Sequence, residues 1–189
     1  MTESEKSVLD AGAIARILRR ISSEIAERTR GAESLALVGI RRGGVPISLR
    51  ISEEIMRTEG RTVPTGTVDI TLYRDDAATA LPQLEIGPSE IPFDVKDRDV
   101  VLVDDVLHTG RTVRAAIDCL LDYGRPRRVW LAVVCDRGGR ELPVAPDFVG
   151  LTLEVPEDEM LDVIMEKVGS ERAVIRKATD KAQRTGGDR

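Results

Sequence analysis

Hydrophobic positions recur along the chain with two periods, and the change from one to the other marks the elements. Between about residues 10 and 30, Ile14, Ile17, Leu18, Ile21 and Ile25 return at helical spacing, with Asp10 placed to cap the start and Gly31 to stop the run. Leu35–Ile40 is a continuous apolar run of strand length, as expected of a strand covered on both faces. Gly43 and Gly44 follow, and then Ile47, Ile51 and Ile55 predict a second helix to about Arg57. Val68–Tyr73 alternates and is β-rich, which predicts a strand. Val100–Val106 predicts a strand, Gly110–Asp122 a helix and Arg128–Asp136 another strand.

This order of strands and helices predicts an α/β fold, with a mostly parallel central sheet and helices on both faces. In such sheets the ligand site lies at the carboxyl ends of the strands. Arg74 to Pro92 is too long for a routine connection and holds Asp75, Asp76 and prolines at 82, 88 and 92, so a functional lid or mobile segment is expected there. After Asp136, Pro143, Pro146 and Pro156 interrupt the pattern. Short β-like pieces around Phe148–Val155, Leu161–Lys167 and Ala173–Arg176 are expected to form a small C-terminal β appendage, or hood. The expected organisation is one domain over residues 1–177, with a core over about 10–136 and the hood over about 137–177. A polar, flexible tail follows at 178–189.

Composition narrows the function. The chain has 189 residues, 41% hydrophobic and 32% charged, enough for one well-buried domain. No apolar run approaches the roughly 20 residues of a membrane span, and Met1–Lys6 has no apolar signal core. Cys119 and Cys135 sit inside apolar segments without metal-ligand spacing, as expected of core residues in a reducing cytoplasm. The single histidine argues against a structural zinc site. A net charge of −5 is unlike a general nucleic-acid binder, although local patches can still bind phosphates. With only 3% aromatic residues, single-strand binding by ring stacking is not expected.

Chemistry concentrates in Val100-Val-Leu-Val-Asp104-Asp105-Val106-Leu107-His108-Thr109-Gly110-Arg111-Thr112. Two carboxylates end a buried strand, a turn of small and hydroxyl residues follows, and a helix begins. Main-chain amides at that helix start, with the Thr109 and Thr112 hydroxyls, suit a phosphate monoester. Adjacent carboxylates suit the vicinal hydroxyls of a ribose. One loop could thus grip a ribose 5-phosphate from both ends. Two simpler readings share the pattern: a junction whose aspartates only cap the helix, and a phosphoacceptor domain. In the latter, paired acids belong to the first strand, whereas about 100 residues precede them here.

The string resembles the phosphoribosyl-pyrophosphate (PRPP) loop of type I phosphoribosyltransferases. The wider stretch from about Leu35 to Gly150 is similar to the PyrR family, pyrimidine-operon attenuators that are also uracil phosphoribosyltransferases. VDITLYRDD at 68–76, IPFD at 91–94, VVLVDDVLHTGRTVRAAIDCLLDYGRPRR at 100–128 and LAVVCDRGGRELPV at 131–144 carry the likeness. It implies a type I phosphoribosyltransferase fold and conversion of uracil and PRPP to UMP and pyrophosphate. Mg²⁺ would be held mainly by PRPP, and no protein nucleophile is needed. By the match, Asp104 and Asp105 hold the ribose hydroxyls. His108, Thr109, Gly110, Arg111 and Thr112 wrap the 5-phosphate, and Val106 and Leu107 belong to the same nucleotide-binding loop. Arg41, Arg42 and Gly43 form the pyrophosphate loop, and Arg74 reaches the pyrophosphate from the long loop. Arg137 lies on the uracil side, and the backbone of Leu161 faces the base. His108 is read as loop lining.

The resemblance also implies a homodimer or higher oligomer and an mRNA leader stem-loop as partner, bound when UMP is present. Arg16, Arg19 and Arg20, then Arg125, Arg127 and Arg128, and then Arg137 and Arg140 are the basic clusters available for it. Three departures stand out. Gly43 occupies the family's arginine position, Gly139 replaces a histidine, and Leu151–Glu159 is acidic where the family is lysine- and serine-rich. Arg42-Gly43-Gly44 also resembles the loop of some purine phosphoribosyltransferases. A purine-base enzyme therefore stays open, as does a nucleotide sensor that keeps the PRPP pocket with little catalysis.

Overall fold

The computed structural model describes residues 5–70, 89–165 and 169–177. In chain order its elements are β1 (Lys6–Leu9), α1 (Ala11–Arg28), β2 (Leu35–Ile40), α2 (Gly44–Glu59), β3 (Thr65–Val68), β4 (Asp99–Leu107), α3 (Arg111–Leu121), β5 (Arg128–Asp136), β6 (Phe148–Thr152), β7 (Glu159–Ile164) and β8 (Arg172–Lys177). α1 starts where the sequence says it should. The Asp10 carboxylate accepts from the Ala13 amide at 2.7 Å, satisfying one donor of the first turn. The helix closes just before Gly31, whose φ of 86° lets the chain turn away.

The central sheet has five strands in the order β3-β2-β4-β5-β6, every neighbouring pair parallel. Successive side chains of a strand point to opposite faces, so the apolar runs split between two cores. Leu35, Leu37, Val101, Val103, Ala132 and Val134 pack under α1 and α2. Ala36, Val38, Val100, Leu102, Leu131 and Val133 pack with Val113, Ala116, Cys119 and Leu120 around α3. Helices on both faces explain why the strands read as continuous apolar runs, with no polar alternation. Among the described residues, no helix is long and apolar enough to cross a membrane.

A second, three-stranded antiparallel sheet has the order β1-β8-β7. Its inner face, Leu161, Val163, Ala173 and Ile175, completes the first core. Two expectations need correction here. The piece expected at Phe148–Val155 does not join the appendage: β6 pairs parallel with β5, from Ala132↔Phe148 to Asp136↔Thr152. The hood instead recruits β1 from the other end of the chain, through Lys6↔Ile175 and Ser7↔Val174. Both pairings are long-range, so nothing local announces them. The strand expected to begin at Val68 instead ends there, β3 spanning Thr65–Val68; positions 71–73 of the expected span lie outside the described residues. It runs beside β2 from Leu37↔Thr65 to Ile40↔Val68 and ends level with it. As an edge strand with Gly66, it carries little apolar signal. Arg74, like residues 71–88 in general, lies outside the described residues. The chain returns at Ser89, whose Oγ accepts from the Asp69 amide at 2.8 Å, and at Glu90, which bridges to Thr67.

One ion pair fastens the hood to the core. Arg50 of α2 donates to the buried carboxylate of Glu171, just before β8, and the Gly169 amide donates to the same group at 2.6 Å. Burial by itself would raise the Glu171 pKa, but its own amide, Arg50 and Gly169 outweigh that and hold it below the usual range. A lowered folded-state pKa gives stability that is present above the unfolded value, about 4.3, and lost as pH falls through the folded value. Glu171→Gln is therefore expected to weaken the hood at pH 7 by about 1–3 kcal/mol. The difference from wild type should shrink in acid. Amide hydrogen exchange of β1 and β8 against pH measures it; identical exchange at pH 7 would contradict the role.

Candidate active site

Because β2 and β4 are adjacent and parallel, the turns that follow them open at the same end of the sheet. Glycines hold both N-caps: Gly43 before α2 and Gly110 before α3, so neither helix start has a side-chain cap. Two helix starts with glycine N-caps make that end of the sheet attractive to anions, although the Arg111 amide donates to Thr109 Oγ1 at 3.3 Å. The Arg41–Arg42 peptide is cis. Gly43 and Gly44 let this turn approach β4 closely. A Cβ on Gly43 would lie 2.3 Å from Cγ and Oδ2 of Asp105, and one on Gly44 would lie 1.9 Å from the Val103 carbonyl oxygen. The absence of the family's arginine at position 43 thus has a steric counterpart in this fold.

Asp104 and Asp105 stand where β4 reaches the opening. Asp104 Oδ1 accepts from the Asp105 amide at 3.0 Å, and Asp105 Oδ1 from the Val106 amide at 2.9 Å. Burial raises the Asp104 pKa well above the usual carboxylate range, and the charge of Asp105 adds to that. The Asp105 pKa is also raised, chiefly by burial, with Asp162 of β7 a further repulsive charge. Unliganded, the pair resists full ionisation. Ligand hydroxyls that donate to these oxygens would favour the charged form.

The other expected site residues fall into place unevenly. Val106 and Leu107 are the last residues of β4, and His108, Thr109 and Gly110 form the turn into α3, which begins with Arg111 and Thr112. Arg111 donates to Glu141, its Nε lying 2.7 Å from Oε2. The His108 pKa is lowered, first by burial and then by Arg137, with Arg140 acting in the same sense against Glu141 and Glu157. A Cβ on Gly139 would lie 2.7 Å from His108 Nε2, so the imidazole occupies room that a side chain at 139 would need. Arg41 lies beside buried Asp69, Nε to Oδ2 at 3.9 Å, and Arg42 sits in the same turn before α2. Arg137 follows β5; its guanidinium donates to the carbonyls of Val155 and Pro156, and its buried Nε has no partner among the described residues. Leu161 puts its side chain in the core and pairs with Ile175, leaving only its main chain for a ligand. Cys135 is fully buried near Asp105, and burial pushes its thiol up to about 12, so it is no nucleophile.

Sequence reading grouped Arg140 with surface arginines and passed over Asp136, Glu141 and Asp162. Arg140 Nη2 is 2.6 Å from Asp136 Oδ2, and the same guanidinium reaches the His108 carbonyl in the turn after β4. The four-residue spacing of Asp136 and Arg140 was the available signal. Arg20 and Arg127 are also engaged internally. Arg20 donates to the Val149 and Gly150 carbonyls, and Arg127 binds Asp99 through two nitrogens. Arg16, Arg19, Arg125 and Arg128 remain exposed.

Comparison with known proteins agrees with this geometry. Residues 4–168 match the phosphoribosyl transferase domain family. The chain is 49% identical over 176 residues to the bifunctional protein PyrR of Pelotomaculum thermopropionicum, covering 93% of this chain and 97% of that one. It is 51% identical over 164 residues to the bifunctional protein PyrR of Roseiflexus sp., covering 87% and 90%. Among solved structures, a hypoxanthine phosphoribosyl transferase of Trypanosoma cruzi superposes with a TM-score of 0.72 at 16% identity, covering 99% of this chain and 98% of that one. A hypoxanthine phosphoribosyltransferase of Staphylococcus aureus gives 0.60 at 17% identity, covering 80% and 78%. At such identities these structures establish the fold alone.

Proposed function

The chain belongs to the PyrR family of phosphoribosyl transferase domain proteins, and on that premise we propose that it converts uracil and PRPP to UMP and pyrophosphate and regulates a pyrimidine operon through its leader RNA. The observation that carries the catalytic half is the Asp104–Asp105 pair, Asp104 buried and Asp105 half-buried, set between two helix starts whose N-cap residues are glycines. The carboxylates accept hydrogen bonds from the ribose hydroxyls, and the amides after β4 take the 5-phosphate. Arg41, Arg42 and the start of α2 receive the pyrophosphate. As the base nitrogen bonds to the anomeric carbon, the bond from that carbon to pyrophosphate breaks, the pyrophosphate leaves, and the proton of that nitrogen passes to solvent or to the pyrophosphate. No side chain is covalently modified, so rate comes from positioning and from stabilising the leaving group. Among the described residues, no group of three metal-ligating side chains assembles. Two adjacent carboxylates fit a cation bound mainly through substrate oxygens. Mg²⁺ so bound supplies neutralisation of the departing pyrophosphate. Arg137 and the Leu161 backbone stand on the base side.

A folded RNA would be held through its phosphates and shape, with exposed Arg16, Arg19, Arg125 and Arg128 as contacts, in a cytoplasmic homodimer or higher oligomer. A base panel with PRPP and Mg²⁺ tests the catalytic half. UMP formation should exceed transfer to guanine, hypoxanthine or xanthine by at least about a hundredfold. Turnover of a purine alone would overturn the base assignment. PRPP binding without turnover would leave a nucleotide sensor. For the regulatory half, a labelled leader stem-loop should be retarded more strongly with UMP present, and no retardation at low salt would sink it.

A further inference from the structure

The segment that leaves β5, residues 136–144, folds back beneath the phosphate turn and holds three consecutive carbonyls of it. The Arg137 amide donates to Leu107 O at 3.0 Å, and the Glu141 and Leu142 amides donate to Thr109 O at 3.0 Å each. The carbonyl between them, His108 O, has a side-chain donor instead: Arg140 Nη1 at 2.8 Å. A peptide unit is planar and trans, so its N–H points away from its C=O. Pinning the carbonyls of 107, 108 and 109 from below therefore aims the amides of 108, 109 and 110 at the opposite side. None of those three amides is taken by a main-chain acceptor among the described residues.

Arg140 is itself tightly held. Its Nε donates to Val144 O at 2.9 Å, Nη1 also reaches Gly138 O at 3.2 Å, and Nη2 meets Asp136 Oδ2 at 2.6 Å. The other Asp136 oxygen accepts from the Gly138 amide at 3.0 Å. Both charged side chains are mostly sheltered, at 23% and 13% exposure, so solvent does little to replace these bonds.

We propose that Arg140, anchored by Asp136, is a positioning residue that orients the Thr109 peptide and so preorganises the phosphate-binding amides. The proposal rests on the reading of the turn after β4 as the 5-phosphate site and names what keeps that site in shape. Arg140 acts through the backbone and touches no substrate.

Steady-state kinetics, calorimetric titration with ribose 5-phosphate, and hydrogen exchange test it in Arg140→Met, Arg140→Lys and Asp136→Asn, with Arg61→Met, an exposed arginine after α2, as a control for lost positive charge. For Arg140→Met, KM for PRPP and Kd for ribose 5-phosphate should each rise about tenfold or more, while KM for uracil and kcat stay within about threefold. Exchange should quicken over residues 106–112, and Arg140→Lys should recover part of the loss. Arg61→Met should match wild type. Unchanged KM for PRPP in a folded Arg140→Met overturns the proposal, as do parallel changes in both KM values that follow a fall in Tm. Should Arg140→Met not fold, Asp136→Asn and Arg140→Lys decide by the same readings. A wild-type protein that neither turns over nor binds ribose 5-phosphate would overturn the site assignment itself, and the proposal with it.

Discussion

Asp104→Asn is expected to lower turnover by about 10²–10³-fold while raising the Tm of the unliganded protein at pH 8. The loss of activity follows from replacing a buried, charged acceptor with a neutral one that cannot bond two ribose hydroxyls as strongly. Each such charge-assisted bond contributes about 1.5–3 kcal/mol, and the misplaced ribose adds to the loss. The gain in stability follows from the raised pKa. A carboxyl whose folded pKa lies above its unfolded value, about 3.9, contributes nothing unfavourable at low pH. It opposes folding increasingly as pH rises through the folded value. Asparagine removes that penalty and keeps an oxygen for the Asp105 amide. Melts at pH 8 and pH 5 with kinetics on the same preparations check both parts. The Tm gain should be larger at pH 8, and a variant less stable than wild type there would refute the electrostatic account. Asp105→Asn should behave alike, with a smaller gain in stability, because Asp105 is the less buried of the two.

The second large effect separates two neighbouring glycines. Gly44→Ala drives a Cβ to within 1.9 Å of the Val103 carbonyl oxygen, a main-chain atom in a central strand that cannot rotate aside. The turn and β4 must part, at a cost of about 3 kcal/mol, and denaturant unfolding should show it. Gly43→Ala meets a different obstacle. Its φ of −64° suits alanine, and the 2.3 Å contacts are with the Asp105 carboxylate, which can swing away, leaving Asp105 Cβ at 2.9 Å to be relieved by a small shift. Stability should change by less than about 1 kcal/mol, whereas a displaced ribose acceptor should lower kcat/KM for PRPP by about a hundredfold. Equal destabilisation by the two substitutions would contradict the arrangement.

These outcomes also mark how far the sequence could be read. Asp104, Asp105 and the turn to Thr112 form one unbroken string, so their shared site was legible from spacing and residue type. The opposition between Gly43 and Asp105 was not, because it joins turns from different strands. The internal bonds of Arg140, counted only as part of a basic cluster, were not legible for a similar reason. Only the fold reveals that one of its acceptors is the carbonyl of His108, some thirty positions earlier.

Left to itself, the sequence determined α1, β2, α2, β4, α3 and β5, since periodicity, caps and apolar runs act over a few residues and need no distant partner. It also pointed to the turn from Asp104 to Thr112 as the proposed phosphate site, whose residues are contiguous. Tertiary structure alone decided that β6 extends the main sheet, that β1 crosses to β8 in the hood, and that β3 sits at Thr65–Val68 level with the end of β2. Those strands are four to six residues long and two of them pair across most of the chain, so their place is fixed by the edges left open to them and not by any pattern of their own.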